Sequence, residues 1–140
     1  MSDRPVTAID IALKPDAAMV RRARADNARL LKAYPGGFAL DATHHPHMTM
    51  IQRFVGTADL AKVHAAADAV LAKDGVADWR FKAIRYYYIP APPLGIAGIV
   101  VERTEELLRL QRELLGAVAP FTAKTGTPAA FFSTDDGRDI

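Results

Sequence analysis

Apolar and β-branched residues open the chain: Val6, Thr7, Ile9 and Ile11 predict a strand over Val6–Leu13, which Lys14-Pro15-Asp16 ends. Met19, Val20, Ala23, Leu30, Leu31 and Tyr34 then recur at helical spacing from Asp16 to Tyr34, with Asn27 a polar gap, until Pro35-Gly36-Gly37 stops the pattern. Phe38–Thr43 reads as a short extended approach to a second strand, Met48–Val55, punctuated by Pro46 before it and Gly56-Thr57 after it. Thr57 is suited to cap a helix through about Lys73, whose seam is Leu60, Val63, Ala67, Val70 and Leu71. Ala77–Ile89 alternates as a strand that Pro90-Ala91-Pro92-Pro93 breaks, and Leu94–Val101 is a further glycine-interrupted strand. Thr104 caps a last helix to about Val118, with Glu105 and Glu106 at its N-terminus and Leu107, Leu110, Gln111, Leu114, Leu115 and Val118 facing inward. Residues 120–140 form a poorly patterned tail: Thr122–Pro128 is turn-like, Phe131-Phe132 a brief apolar pair, and Asp135–Asp139 a solvated end. This order predicts an α+β fold, a mostly antiparallel sheet with helices packed on it.

At 140 residues and 50% hydrophobic, the chain is expected to form a single domain over residues 1–140. Its net charge of +2 does not by itself demand a nucleic-acid partner, so any nucleotide binding must be local. The absence of cysteine excludes disulfides, thiolate metal sites and cysteine nucleophiles, and fits a reducing compartment. No apolar run is long enough to span a membrane and no basic segment precedes an apolar one at Met1-Ser2-Asp3-Arg4-Pro5, so a cytoplasmic protein without a membrane partner is expected. Nothing in the pattern requires an obligate protein partner.

Candidate chemistry concentrates at the second strand. Alternation places His47, Thr49, Ile51 and Arg53 on one face and Met48, Met50, Gln52 and Phe54 on the other. An imidazole beside a hydroxyl suits phosphoryl transfer: histidine passes a proton to or from an attacking or leaving oxygen, and threonine donates to a phosphate oxygen. His44 and His45 lie in the approach at the mouth of this site, where they either touch substrate or touch nothing. Three histidines within four positions raise the question of zinc, but no third or fourth ligand of suitable spacing is present, so neither metal nor other cofactor is expected. Arg21, Arg22, Arg24 and Arg29 read as the solvated face of a helix, and His64 as a surface residue. Tyr86, Tyr87 and Tyr88 offer aromatic surface either for a core or for a base, with Arg85 as an accompanying phosphate contact.

The run His47-Met48-Thr49-Met50, with Pro46 before it and Phe54-Val55-Gly56 closing the strand, resembles the first His-x-Thr signature of the 2H phosphoesterase superfamily, which includes the 2′-5′ RNA ligase-like proteins. The resemblance extends over residues 6–73 and, more loosely, over the later strand and helix order. It implies a metal-independent phosphodiesterase acting on a 2′,3′-cyclic phosphate at an RNA terminus or on a small cyclic nucleotide. His47 would be the general acid or base and Thr49 a phosphate ligand; apart from the resemblance, Arg53, Tyr87 and His45 are expected as substrate contacts. In that family two pseudosymmetric lobes each contribute a His-x-Thr. No second one occurs here, and Phe132-Ser133-Thr134 keeps only the threonine spacing. The expectation is a chain that stops before its second motif, leaving the second lobe incomplete. The alternative is a non-catalytic nucleotide- or phosphate-binding module that lacks the second half of the site.

Overall fold

In chain order the elements of the computed structural model, which describes residues 4–132, are β1 (Val6–Leu13), α1 (Ala17–Ala33), β2 (Met48–Gly56), α2 (Leu60–Asp74), β3 (Ala83–Ala91), β4 (Leu94–Val101), α3 (Glu105–Val118) and β5 (Thr122–Ala123). Among the described residues the class is α+β, with antiparallel pairing and three α-helices. Ser133 and Thr134 lie outside the described residues, as does Asp135–Asp139.

The chain divides into two compact units. The first comprises residues 1–11, 49–79 and 103–140. Its sheet has the order β1-β2-β5. Thr57 N–H donates to Pro5 O while Thr49 and Gln52 reach Asp10, so β1 ascends as β2 descends. Phe54 pairs with Ala123 and Val55 with Thr122, a two-residue strand in the segment whose sequence carries no strand pattern. The core is made by β2, α2 and α3: Val55, Leu110, Leu114 and Val118 are fully buried and Val63 nearly so, with Met50, Ile51, Ala67 and Leu107 around them. Burying a side chain of this size contributes roughly 1.5–3 kcal/mol, which makes the α3 seam the main hold on this unit. Gln111, expected on the inner face, is exposed overall, and its Nε2 still donates to Met50 O at 3.0 Å, fastening α3 to β2.

Two helix ends differ in their chemistry. Thr104 caps α3 as expected, accepting from Leu107 N–H at 3.2 Å. Thr57 does not cap α2: a 3-10 turn over Thr57–Asp59 intervenes, and the Thr57 hydroxyl instead meets that of Thr7 at 2.8 Å. α2 ends at Gly75, whose φ of 62° is the left-handed conformation that closes helices and favours glycine. The following 3-10 turn over Val76–Asp78 consumes the start of the strand expected from Ala77, and β3 begins only at Ala83.

The second unit comprises residues 12–48 and 80–102. Asp16 caps α1, accepting from Met19 N–H at 2.8 Å. No residue of α1 is fully buried, and Leu30 and Tyr34, expected in its seam, are 53% and 51% exposed. Asn27, the polar gap, has a structural use: its amide donates to Phe38 O and accepts from Leu40 N–H, mimicking a strand partner for the loop. The segment Phe38–Thr43 is consequently a held loop rather than a strand. β3 and β4 form a separate antiparallel hairpin, and β3 runs through Pro90 to Ala91 instead of breaking there, which the edge position of the strand allows.

Candidate functional site

His47 ends the loop of the second unit, one residue before β2. Its Nδ1 lies 2.8 Å from His45 O, and a carbonyl only accepts, so Nδ1 carries the proton. The neutral ring therefore has its lone pair on Nε2, the nitrogen able to take a proton, and the residue is exposed. His45 is exposed too, and its backbone carbonyl orients His47.

Asp41 organises the loop ahead of them. One of its oxygens, Oδ1, accepts from the backbone N–H groups of Thr43 and His44, from the Thr43 hydroxyl and from His44 Nδ1, all at 2.8–2.9 Å. The Thr43 and His44 N–H groups, then the two side-chain donors, hold its carboxyl well below the usual carboxylate range. His44 is turned away from solvent: its ring meets Phe38 edge to face at 4.8 Å, so it buttresses the loop and leaves His45 and His47 exposed.

Thr49 belongs to β2 in the first unit and is exposed. Its hydroxyl donates to Asp10 Oδ2 at 2.9 Å, and Gln52 Nε2 donates to the same oxygen at 3.1 Å. Strict alternation would put Thr49 and Gln52 on opposite faces. The shared acceptor, together with the burial of consecutive Met50 and Ile51 and the exposure of consecutive Gln52 and Arg53, shows that β2 departs from that period here. The expected common face of His47, Thr49, Ile51 and Arg53 is thus not kept, since Ile51 is 4% exposed while Thr49 and Arg53 face solvent. Arg53 folds back on its own strand, Nη1 donating to Gln52 O at 2.8 Å. Asp10 is the residue that sequence reasoning missed. A lone aspartate in β1 breaking an apolar run was the available signal.

Tyr87 lies on the hairpin of the second unit. All of β3 is exposed, so Tyr86, Tyr87 and Tyr88 are not core residues. Tyr86 is tied to α1: its hydroxyl donates to Asp26 Oδ2 at 3.0 Å and accepts from Arg22 Nη2 at 2.6 Å, with the Arg22 guanidinium 5.9 Å from its ring centre.

Among the described residues no three His, Asp or Glu side chains converge as a metal site would require, and no helix is long and apolar enough to cross a membrane. No protein-family model, curated protein or solved structure matches the chain.

Proposed function

We propose that this chain is a phosphoesterase of the 2H type, a 2′-5′ RNA ligase-like fold acting without metal on the 2′,3′-cyclic phosphate of an RNA end or small nucleotide. The observation that carries the reading is the tautomer of His47, set by the His45 carbonyl, which leaves an exposed basic Nε2 two residues before the exposed hydroxyl of Thr49. In the reaction, water attacks phosphorus while His47 Nε2 takes its proton. The bond from phosphorus to one ribose oxygen breaks, and that oxygen leaves with a proton supplied by the imidazolium or by solvent. Thr49 serves as a phosphate ligand once its hydroxyl turns from Asp10. Arg53 and Tyr87 remain the substrate contacts of this reading, with His45 acting through its carbonyl. Its natural setting would be cytoplasmic RNA processing.

A second reading is favoured by the lack of a second His-x-Thr to serve the other proton transfer: a phosphate- or nucleotide-binding module without turnover. Hydrolysis of 2′,3′-cyclic nucleotides by the chain and by its His47→Ala variant separates the two. Under the enzymatic reading, loss of the imidazole lowers the rate by about 10²–10⁴. Turnover indifferent to His47 would remove the mechanism, and binding without turnover would select the module.

A further inference from the structure

The net charge of +2 conceals an uneven distribution. Among the described residues the second unit carries nine basic against four acidic side chains, a net +5, whereas the first carries eight against eight. Within the second unit the β3–β4 ladder pairs Arg85 with Val100, Tyr87 with Gly98 and Ile89 with Ile96, so these six residues share one face of the hairpin. The opposite face is the one that Tyr86 ties to Arg22 and Asp26 of α1.

Glycine shapes the first face. A Cβ at Gly98 would come within 2.3–2.6 Å of the phenol end of Tyr87, so only glycine lets that ring lie across β4. The ring is 41% exposed, and Ile89 and Ile96 beside it are 52% and 55% exposed. Arg85 stands two positions from Tyr87 on the same face, about 6–7 Å along the strand. Neither Arg85 nor Lys82 makes an ion pair among the described residues. An aromatic ring laid on a sheet, flanked by a cation and embedded in a net-positive unit, is complementary to a chain that alternates flat bases with negative phosphates.

We propose that the Arg85–Tyr87–Ile89 face of the β3–β4 hairpin binds single-stranded nucleic acid, with a base stacked on Tyr87 and a phosphate held by Arg85. The proposal shares Tyr87 with the phosphoesterase reading but rests on the hairpin face and the charge of its unit. Its ligand needs no cyclic phosphate, so the two fail separately.

Fluorescence anisotropy on the 140-residue chain tests it, using a labelled oligouridylate of about ten nucleotides with a plain 3′-hydroxyl, a length within the usual single-strand site sizes. Wild-type protein should bind the single strand more tightly than a duplex of equal length. Tyr87→Ala should weaken binding roughly 5- to 150-fold and Tyr87→Phe should restore it, because stacking needs the ring and not the hydroxyl. Arg85→Ala should lower the dependence of log affinity on log salt by about 0.7, the loss of one phosphate contact to a single strand. Circular dichroism confirms that each variant is folded, and the salt dependence of Arg85→Ala keeps the proposal falsifiable if Tyr87→Ala is not. Equal affinity for duplex, or indifference to Tyr87 and Arg85, would overturn the proposal. So would self-association through the hairpin with no affinity for the oligonucleotide.

Discussion

The Thr49 hydroxyl gives its proton to Asp10 Oδ2 across 2.9 Å, and Gln52 adds a second donor to the same oxygen. A phosphate arriving at Thr49 would meet both a committed proton and a nearby negative charge. Asp10→Asn removes the charge and leaves the hydroxyl with a weaker acceptor, so it should tighten binding of inorganic phosphate or a 2′,3′-cyclic nucleotide by about 3- to 10-fold, the scale of one screened charge at a few ångströms. Stability should change by no more than about 0.5 kcal/mol, because all three side chains are exposed. Isothermal titration calorimetry checks the affinity. Weaker binding in the variant would mean that Asp10 positions Thr49 for the ligand rather than competing with it.

The α3 seam makes the sharpest stability contrast. Leu110 and Leu114 are fully buried, whereas Leu30 on α1 is 53% exposed. Leu110→Ala should cost about 2–5 kcal/mol through lost burial and a residual cavity. Leu30→Ala should change stability by less than about 1 kcal/mol, since little area is removed from water. Urea denaturation measures both. Equal costs would show that Leu30 is not exposed in solution.

Helices and most strands were legible because apolar spacing dictates them: α3 obeys its seam at Leu107, Leu110, Leu114 and Val118, and Thr104 caps it as a threonine before two glutamates should. What escaped the pattern depends on partners remote in sequence. Thr57 carries the signature of a cap, yet Thr7 of β1 and Pro5 just before that strand engage its hydroxyl and its N–H. Thr122–Ala123 has no strand pattern and becomes a strand only because Phe54 and Val55 offer it an edge. At the site, His47 and Thr49 were visible as residue types in a motif. Asp10 was not, because its meaning comes from the register between β1 and β2.

Gly75 tests one local reading directly. Its φ of 62° terminates α2, and a Cβ there would meet open space, so any penalty is conformational rather than steric crowding by neighbours. Gly75→Ala should destabilise by about 1–2 kcal/mol, the cost of holding an L side chain in the left-handed region. Thermal unfolding reads it as a lowered midpoint, and an unchanged midpoint would indicate that the chain re-forms the helix end without this conformation.

Asp41 governs the pH response of the loop that precedes β2. Its folded carboxyl titrates below the usual range because the N–H groups of Thr43 and His44, then their side chains, donate to the charged form. With the folded pKa depressed below the unfolded value of about 3.9, the contribution is fully present above that value and is lost as pH falls toward the folded one. Neutral pH therefore leaves the loop intact, and acidification below about pH 4 should loosen it. NMR titration of the Asp41 carboxyl should give a midpoint below that of an ordinary aspartate. In Asp41→Asn the Thr43 and His44 amides should exchange with solvent faster at neutral pH, since an amide oxygen is a weaker acceptor than a carboxylate. Because His44 Nδ1 also rests on Asp41, its ring should lose its fixed orientation against Phe38 in the variant, seen as altered ring-proton shifts. An Asp41 midpoint at the ordinary value, with unchanged amide exchange in Asp41→Asn, would mean that the carboxylate does not hold this loop.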